Sequence, residues 1–517
     1  MTAQGVRVFP GSYLDSLLLM SATVTMEDAG GVAWAGAVMA TPRGLSDLAE
    51  AGFDSPELAG LRANDLVLAV RGEDEAGVAA ALEAGRASAF DHPEPGSAAT
   101  GQRLPSSIAD AVRTQPGSNV AIVSVPGEYA ALEAHHALTA GLHVLLFSDG
   151  VPLPEEVELK TRAAALGRLV MGPGAGTAVL AGTGLGFANV ASARMGAAGS
   201  VGVIAAAGTG AQEVASLLDR WGVAVSQVVG VGGRDLSEAV GGTMAALAAR
   251  TLDADDGTSA VLLVSKPPSP RAAARVLEAC GDTPSVAVFL GLGALPGHPD
   301  AVLAGTLEGA AAAAARLVGT TPPVLTDGLR AAVTTACQRL SPGRTRIQGL
   351  FSGGTLCYEA QLILGKLVGP VRSNEPLRAD LGLPAPAGAH VLLDLGAEEY
   401  TRGVPHPMID PTGRIAVLRA QAEDPSVAVV LLDVVLGLGS HEDPAGLLAP
   451  VCAELMAGGG PQVVAYVLGT EADPQGYSRQ RALLEAAGCI VPQTNARAAF
   501  AAAALALRRP DLAEEDV

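Results

Sequence analysis

The chain has 517 residues, and its 33 Lys and Arg against 53 Asp and Glu give a formal net charge of −20. This acidic balance excludes a protein that binds nucleic acid through a broad basic face, because such binding depends on neutralising phosphates. With 49% hydrophobic residues, 64 Gly and 34 Pro, the chain is too apolar for a disordered protein, and its glycines lack the strict period of collagen.

The first region, 1–86, alternates short apolar runs with helical stretches. Its N-terminal sequence, MTAQGVRVFPGSY, lacks the basic segment and apolar run of an export signal. Runs of aliphatic and β-branched residues predict strands, and apolar residues at helical spacing predict helices. The predicted strands are 6–9, 31–39 and 66–70, and the predicted helices are 14–25 and 74–86.

The next region, 108–196, follows a linker predicted over 87–107, where Pro, Gly and Ser are frequent. Strands alternate with helices here, which is typical of βαβ units with a parallel sheet. The predicted strands are 120–125, 143–147 and 169–171, and the predicted helices are 128–140 and 155–165. Each strand is followed by a turn, and the turns lie at 125–129, 148–152 and 171–176. Because ligands bind at the carboxyl ends of strands in open parallel sheets, we expect these turns to share one rim.

Two further blocks, 197–320 and 346–507, resemble each other and are joined by a connector predicted over 321–345. Each block contains a Gly-Thr turn whose threonine is followed four residues later by a glutamate; the pairs are Thr209 with Glu213 and Thr355 with Glu359. Apolar runs typical of buried strands lie at 200–205, 429–433 and 463–467. The repetition predicts a duplicated domain built from two flavodoxin-like sheets. At roughly 100–200 residues per domain, the length predicts about three or four globular units.

The Gly-Thr turns are the strongest local signal for a binding site. At each of them a buried strand passes into a helix whose first amides lack intrahelical partners, and the helix dipole adds about half a positive charge there. Small residues let an anion approach closely, and two such helix ends facing each other would clamp a phosphate. The candidate phosphate-binding residues are Gly208, Thr209, Gly210, Ser352, Gly353, Gly354 and Thr355. The alternative is a tight turn in an Ala- and Gly-rich core, with Glu213 as a solvated acid.

A series of motifs resembles the FdrA family over nearly the whole chain. In order they are VPGEYA, SDGVPLPEE, MGPGAG, VGVIAAAGTGAQEV, GVGGRDL, LVSKPP, GLFSGGTLCYEA, PHPMIDP and DVVLGLGSHEDPAG. The FdrA family is similar to the succinyl-CoA synthetase superfamily of nucleoside-diphosphate-forming acyl-CoA ligases. The resemblance implies an α/β protein. In sequence order, the small α/β N-terminal region is followed by a Rossmann-like CoA-binding-type domain and then by two flavodoxin-like ligase domains. In that superfamily two opposed helices bind the phosphate that moves between nucleotide and carboxylate.

The resemblance also implies roles for single residues. The superfamily transfers phosphate through a histidine in a Gly-His loop, and Gly297-His298 holds that place here; the alternative is a surface loop residue. Glu213 and Glu359 are the other candidate catalytic residues. The superfamily's GPNCPG-type loop lacks its amide and thiol in this chain, which leaves CoA open as the acceptor. The resemblance implies ATP, with Mg, as a cofactor; no Lys-rich ATP-grasp module is recognisable, so the alternatives are an unusual nucleotide site, a nucleotide site on a partner subunit, or no nucleotide. The candidate cofactor-binding residues are Gly127, Gly150, Gly172 and Pro173.

Two basic residues within these motifs lie at predicted strand ends. Arg234 would bind a carboxylate through both guanidinium nitrogens or pair with its neighbour Asp235. Lys266, one of three lysines in the chain, would face the charge of the substrate or lie at a solvated strand end. The candidate substrate-binding residues are Gly232, Gly233, Arg234 and Lys266.

The thiols and the remaining loop histidines are interpreted as structural. The five cysteines show no CxxC pair and no metal-ligand spacing, which favours reduced thiols in a cytoplasmic protein and no metal site. Cys357 is interpreted as a buried thiol rather than a nucleophile. His406 and His441 are interpreted as turn residues, with an acid–base or carboxylate-binding role near Asp433 as the alternative.

Three functions follow from these observations. The first is a ligase that activates a carboxylate as an acyl phosphate, converting ATP to ADP and phosphate, and passes the acyl group to an amine or a thiol. The second is a carbamoyltransferase subunit, because FdrA-like proteins are implied in oxamate and carbamoyl phosphate metabolism. The third is a non-catalytic binding or regulatory subunit. The expected partners are a small carboxylate, an amine or thiol acceptor, and further subunits or a second copy of the chain, with no nucleic acid and no membrane.

Overall fold

The computed structural model describes residues 3–14, 16–90, 105–191, 199–292, 301–401, 404–421 and 423–515. The chain divides into two compact units, Met1–Thr114 with Glu398–Pro405, and Gln115–Ala397 with His406–Val517. The architecture is mixed α/β, as the sequence predicted. Within the ranges above, no helix has the length and apolar character that crossing a bilayer requires.

The first unit contains a three-stranded antiparallel sheet. Its elements are β1 (Ala3–Phe9), α1 (Ser16–Glu27), β2 (Val32–Met39), α2 (Pro42–Glu50), β3 (Leu66–Gly72), α3 (Glu75–Phe90) and α4 (Ile108–Thr114). The strand order is β1-β3-β2. Leu66 and Leu68 of β3 pack with α1 and α3, whereas Val67 and Ala69 pack on the other face with Leu48 of α2, so burial on both faces explains the unbroken apolar run. α3 extends to Phe90, into the segment predicted as a linker.

The second unit opens with a three-stranded parallel sheet. Its elements are β4 (Val120–Val123), α5 (Gly127–Thr139), β5 (His143–Leu146), α6 (Leu153–Ala165) and β6 (Val170–Met171). The spatial order β4-β5-β6 follows the chain, and both pairings are parallel. Successive parallel strands with helical crossovers form half of a Rossmann-like sheet.

A seven-stranded sheet follows. Its elements are β7 (Thr177–Leu180), β8 (Thr183–Gly186), β9 (Val201–Ala205), α7 (Gly208–Arg220), β10 (Val225–Gly230), α8 (Thr243–Asp253), β11 (Ala260–Ser265), α9 (Pro270–Glu278), β12 (Ser285–Phe289), β13 (Val302–Leu303) and α10 (Leu307–Leu317). The order is β13-β12-β11-β9-β10-β7-β8, and β9 to β13 are parallel in flavodoxin order. The hairpin of β7 and β8 joins this sheet, although the sequence placed 177–186 in the Rossmann-like domain.

The last sheet repeats this pattern. Its elements are α11 (Leu329–Arg339), β14 (Arg346–Phe351), α12 (Gly354–Leu367), β15 (Val371–Ser373), β16 (His390–Asp394), α13 (Glu398–Thr401, part of the first unit), α14 (Thr412–Ala420), β17 (Val427–Val435), α15 (Pro444–Met456), β18 (Gln462–Leu468), α16 (Tyr477–Ala486) and α17 (Asn495–Leu507). The parallel order is β15-β16-β14-β17-β18. Strands β16-β14-β17-β18 therefore match β10-β9-β11-β12, and α12 matches α7. The predicted connector contains α11.

One hydrophobic core joins the two large sheets. It contains buried residues of β9, β14 and β17 and of the helices α7, α10, α12 and α17. α17 is rich in alanine, and each of its residues from Asn495 to Ala506 is buried. Small side chains let backbones pack closely, so this helix can lie inside the core. Because both blocks share the core, the carboxyl ends of β9 and β14 bring the first residues of α7 and α12 together.

Candidate active site

The first turns of α7 and α12 are in direct contact. The backbone N–H of Thr355 donates a hydrogen bond to Oγ1 of Thr209 at 3.2 Å. A Cβ added to Gly353 would lie 2.9 Å from Cγ2 of Thr209, and one added to Gly210 would lie 2.9 Å from Cγ2 of Thr355. Both positions therefore require glycine, because a larger residue would push the two helix ends apart. The structure thus brings together the two Gly-Thr turns that the sequence singled out.

The contact also changes the expected clamp. The side chains of Thr209 and Thr355 fill the space directly between the helix ends, so no gap for an anion lies on the line that joins them. Gly208 is exposed, and a Cβ added there would meet no atom within 4 Å. Within the described part of the chain, the amides of Gly208, Thr209 and Gly210 have no hydrogen-bond acceptor. The start of α7 is therefore exposed at Gly208, on the side away from the contact between the two threonines.

The loop that leads into α12 already binds a carboxylate. Oδ1 of Asp433 accepts hydrogen bonds from the N–H and the hydroxyl of Ser352 at 2.8 and 2.9 Å, and Oδ2 accepts from the N–H of Gly353 at 2.7 Å. Arg414 pairs with Oδ1 of Asp433 at 2.9 Å, and both side chains are buried. Asp433 therefore supplies the negative charge that this helix end attracts. The α12 half of the predicted phosphate site is occupied by an internal carboxylate, whereas the amides of the α7 half have no such partner among the described residues.

A second carboxylate, Asp394, ends β16 beside the α12 end. Its Oδ2 lies 2.5 Å from the point where Gly354 would carry a Cβ, and its Oδ1 accepts from the N–H of Gly396 at 3.0 Å. Burial raises the pKa of Asp394 to about 6, against the opposing effect of the Lys266 charge. The Lys266 ammonium lies 5.5 Å from the ring centroid of Tyr358 on α12. Lys266, predicted from the first block, is thus placed beside the second.

Glu213 and Glu359 each form a hydrogen bond with the opposite block. Oε1 of Glu359 accepts from the N–H of Leu307, the first residue of α10, at 2.7 Å. Oε1 of Glu213 accepts from the N–H of Asn495, the first residue of α17, at 3.4 Å. Each glutamate therefore binds the N-terminus of the last helix of the opposite block. Both are buried, so the alternative of a solvated acid at 213 is wrong.

The two glutamates belong to one buried polar cluster. The Asn495 amide nitrogen donates to Oε2 of Glu359 at 2.8 Å, and the Tyr466 hydroxyl donates to Oε2 of Glu213. Burial raises the pKa of Glu213 to about 7 and that of Glu359 to about 8, and the hydrogen bonds from Tyr466 and Asn495 oppose this rise. Glu308 adds a further negative charge nearby. Near neutral pH both carboxyls are therefore partly protonated.

The three turns at the end of the first parallel sheet lie together. A Cβ added to Gly127 would lie 2.1 Å from the carbonyl oxygen of Asp149, beside Gly150. The N–H of Gly174 donates to the Ser148 carbonyl at 3.0 Å. A Cβ on Gly232 would lie 2.6 Å from the carbonyl carbon of Gly172, which precedes Pro173. The predicted cofactor-binding turns and the Gly232-Gly233 loop therefore form one continuous rim.

Arg234 has a different partner from the one that the sequence suggested. Its Nε pairs with Glu156 at 2.8 Å, and its NH2 group donates to the Val151 carbonyl at 2.7 Å. The neighbouring Asp235 instead binds the buried ammonium of Lys160 at 3.0 Å, and Lys160 also binds Glu156 at 2.8 Å. The Arg234–Asp235 pair does not form, because Asp235 points into the core. Arg234 remains 47% exposed and can still reach a ligand at the rim.

Four further candidates remain. Gly297 and His298 lie outside the described residues. Cys357 is buried, and burial raises the pKa of its thiol well above its usual value, which argues against a nucleophile. His441 accepts a hydrogen bond through Nδ1 from the N–H of Asp443 at 3.0 Å, as a turn residue would. His406 makes a similar bond to Met408 at 3.2 Å, but lies beside Ser352 and Gly396.

Sequence reasoning missed two residues of the site. Asp394 ends a strand in the run VLLDLG, and a strand-terminal carboxylate next to a predicted flavodoxin-like sheet was an available signal. Asn495 follows Thr494, whose hydroxyl accepts from the N–H of Arg497 at 3.1 Å and caps α17. A Thr-Asn pair before an alanine-rich helix marks a helix start, but nothing local indicates that Asn495 contacts Glu359.

Two protein families match parts of the chain. Residues 350–505 match the family described as CoA-ligase, and residues 1–103 match the family described as AllF, heavy metal-associated domain. Among the residues that the structure describes, no cluster of three or more His, Cys, Asp or Glu side chains is placed to hold a metal ion.

Individual proteins match as well. The succinate–CoA ligase [ADP-forming] subunit alpha 2 of Archaeoglobus fulgidus is 30% identical over 31% of this chain and 54% of its own length. The solved structure of the dinucleotide forming acetyl-coenzyme A synthetase 1 of Ca. Korarchaeum cryptofilum, in complex with phosphate and ADP, aligns with 80% of this chain and 87% of that chain, at 16% identity and a TM-score of 0.30. The uncharacterized protein YahF of Escherichia coli (strain K12) is 37% identical over 94% of this chain and 95% of its own length. The chain therefore belongs to the YahF family and carries a CoA-ligase domain in its C-terminal part.

Proposed function

We propose that this chain is an acyl-transferring ligase of the CoA-ligase type. A carboxylate is activated as an acyl phosphate while ATP is converted to ADP, and the acyl group then passes to an amine or a thiol, giving an amide or a CoA thioester. The observation that carries the proposal is the contact of the two helix ends, with Thr355 bonded to Thr209 and Gly208 left exposed. The match of 350–505 to the CoA-ligase family supports it, and so does the similarity to an ADP-forming succinate–CoA ligase subunit.

In this proposal the open end of α7 binds the phosphoryl oxygens. Free amides and the helix dipole favour a dianion, and their effect grows as negative charge gathers on the departing phosphate. The acceptor nitrogen or sulfur attacks the carbonyl carbon, and the bond from that carbon to the phosphate oxygen breaks. The phosphate leaves with the electron pair and takes up the proton of the acceptor. Lys266, which lies beside Tyr358 of α12, would add a positive charge near the pair of helix ends.

The remaining candidates receive roles consistent with their contacts. His298 is proposed as the acceptor of the phosphoryl group from ATP. Glu213 and Glu359 are proposed to position the two helix ends, because each is bound to the opposite block. The rim around Gly172 is proposed to hold the nucleotide part of a CoA acceptor. There α5 begins at Gly127 without a side-chain cap, and the exposed part of Arg234 supplies a cation.

The decisive experiment compares two glycine variants in an assay of acyl transfer. The full chain, with any subunits that copurify, is incubated with ATP, a panel of carboxylic acids and hydroxylamine, which traps activated acyl groups as hydroxamates. Gly208→Val adds a bulky side chain at the exposed first residue of α7 without a clash, because nothing outside the start of its own helix lies within 4 Å of its Cβ. Gly413→Val is the matched control, an exposed first-turn glycine of α14 that also has open space at its Cβ.

We expect Gly208→Val to lower hydroxamate formation about tenfold or more, since one charge-assisted hydrogen bond contributes about 1.5–3 kcal/mol. Gly413→Val should retain the activity of the unmodified chain, and both variants should melt at the same temperature. Absence of ADP and phosphate formation with every acid would refute the proposal. Equal activity of Gly208→Val and the unmodified chain would refute the role of the α7 end.

A second candidate is carbamoyl transfer, in which carbamoyl phosphate is the acyl phosphate. The FdrA resemblance of the motifs, which implies a link to oxamate and carbamoyl phosphate metabolism, favours it. The same α7 site would serve, because carbamoyl phosphate presents the same phosphoryl group. Phosphate release from carbamoyl phosphate with oxamate as acceptor, in the absence of ATP, would support this reaction. Hydroxamate formation that requires ATP would favour the ligase.

A third candidate, a non-catalytic subunit, is favoured by one observation. Asp433 occupies the amides of Ser352 and Gly353, as a permanent internal anion would in a chain that retained the fold without the chemistry. Unchanged activity of the assembled complex after His298→Ala and Gly208→Val would support this role. Loss of activity in either variant would exclude it.

A further inference from the structure

His406 lies beside the loop that enters α12, and the proposed mechanism gives it no role. Its Nε2 is 2.6 Å from the point where Gly396 would carry a Cβ, and the carbonyl oxygen of Ser352 is 2.7 Å from the same point. The imidazole therefore faces the ends of β14 and β16, where Asp433 and Asp394 also lie. It sits on the edge of the sheet that carries the α12 end.

The hydrogen-bonding state of the ring follows from its contacts. Nδ1 accepts a hydrogen bond from the N–H of Met408 at 3.2 Å, so the neutral ring carries its proton on Nε2. Burial lowers the pKa of His406 to about 4, although Asp433 acts in the opposite direction. The ring is thus neutral at physiological pH. Within the described residues Nε2 has no hydrogen-bond acceptor, which leaves a largely buried donor available to a ligand.

Aromatic side chains connect this ring to the rim described above. The centroid of the Phe187 ring lies 6.1 Å from that of His406 and 5.9 Å from that of Phe147. The N–H of Phe187 donates to the carbonyl of Gly176, at the end of the rim loop, at 2.7 Å. His406 is therefore linked through Phe187 to the rim, proposed to hold the acceptor, and lies beside Ser352 in the loop that enters α12.

We propose that His406 is a substrate-binding residue that donates a hydrogen bond from Nε2 to the carbonyl oxygen of the acyl group. This inference rests on the proposed function. A neutral donor at this place would stabilise the negative charge that develops on the carbonyl oxygen as the acceptor attacks. The position also gives the residue a part in specificity, because a ligand that lacks the carbonyl leaves the donor unpaired.

Three variants separate this role from a purely structural one. His406→Gln keeps an amide N–H near the place of Nε2 but removes the acceptor at Nδ1. His406→Asn keeps an acceptor for the N–H of Met408 and removes the donor. His441→Asn is the matched control, because Nδ1 of His441 accepts from the N–H two residues later in the same way. A structural role would be preserved better by Asn, and a ligand-binding role by Gln.

The test measures binding of two phosphonates to the full chain by calorimetry. Acetonylphosphonate resembles an acyl phosphate and keeps the carbonyl, whereas propylphosphonate lacks it. We expect the unmodified chain to bind acetonylphosphonate about tenfold more tightly than propylphosphonate, which corresponds to one neutral hydrogen bond near the upper end of its range. His441→Asn and His406→Gln should also bind acetonylphosphonate more tightly than propylphosphonate. His406→Asn should bind both ligands equally and retain the affinity of the unmodified chain for propylphosphonate.

The outcomes distinguish the inference from the function on which it rests. If the unmodified chain binds both phosphonates with equal affinity, the role of His406 is refuted and the α7 site stands. If it binds neither, the proposed function is refuted and the inference falls with it. A preference for acetonylphosphonate that survives in His406→Asn and is lost in His406→Gln would assign His406 to the turn alone. The comparison of the two ligands on the unmodified chain needs no variant to fold.

Discussion

The buried Glu359 makes a quantitative prediction about how stability depends on pH. Its carboxyl binds the N–H of Leu307 at 2.7 Å and the Asn495 amide at 2.8 Å, and its pKa rises from 4.5 to about 8, chiefly because burial disfavours the charged form. The folded state therefore holds a proton that the unfolded state releases between these two pH values. The stabilisation is complete below pH 4.5 and is lost as the pH rises to about 8. At about 1.4 kcal/mol per pKa unit, the loss amounts to about 5 kcal/mol.

Glu359→Gln removes this titration. The amide retains one of the two hydrogen bonds, so the variant should be about 1–3 kcal/mol less stable than the unmodified chain at pH 5. Because the unmodified chain loses about 5 kcal/mol as the pH rises, the two curves should cross and the variant should be the more stable chain at pH 9. Urea unfolding at unit intervals of pH measures the difference, with the exposed Glu442→Gln as the control. Between pH 5 and 8 the free energy of unfolding of the unmodified chain should fall about 1.4 kcal/mol per pH unit more steeply than that of Glu359→Gln. Parallel curves would refute the assignment of a proton to Glu359.

Three further predictions concern packing, a buried charge network and the His406 ring. Gly353→Ala should lower the free energy of unfolding by about 1–3 kcal/mol in urea, since the new methyl would lie 2.9 Å from the opposing threonine; unchanged stability would show that the helix ends move apart freely. Lys160→Met should cost about 3–5 kcal/mol, because Glu156 and Asp235 then lose their buried cation; a cost below about 1 kcal/mol, by the same measurement, would contradict this. In NMR spectra the His406 ring protons should keep the chemical shifts of a neutral imidazole until the pH falls below about 5. The stability that the neutral ring supplies should be lost as the pH falls from 6.5 to about 4. Titration of these resonances near pH 6.5 would contradict the burial of the ring.

The duplicated helix ends could be predicted because their signal is local. Thr209 with Glu213 and Thr355 with Glu359 repeat one spacing, and a strand that passes through glycine into a helix shows in a short window of sequence. The flavodoxin-like order of the strands followed from that repetition and from the FdrA resemblance. The confirmed α/β class rests on the same periodic patterns.

Features that depend on distant partners could not be predicted. The partner of Arg234 is Glu156, far earlier in the chain, rather than the adjacent Asp235. The sequence assigned 177–186 to the Rossmann-like domain, and only the pairing of β7 with β10 places this hairpin in the seven-stranded sheet. The burial of Glu213 has the same origin, because α17, which covers it, lies almost 300 residues later along the chain.

Asp433 shows a limit of a different kind. The sequence placed it at a strand end near two histidines, and the start of a helix such as α12 is expected to attract an anion. The charge that satisfies that attraction comes from the protein itself. A pattern search identifies a helix end that binds anions, but it does not say which anion is already bound.

The exchange of glutamates between the blocks makes their folding interdependent. Glu359 binds the first amide of α10, and Glu213 binds that of α17, so each block needs the other to complete its closing helix. A chain cut between 321 and 328, ahead of α11, would yield two fragments. In them the first amides of α10 and α17 would be exposed, and Glu213 and Glu359 would lack these hydrogen-bond donors. Such fragments are expected to reassociate into one particle, in the manner of a split protein, and neither should persist as a free-standing domain. Gene fission at this point would therefore produce an obligate heterodimer.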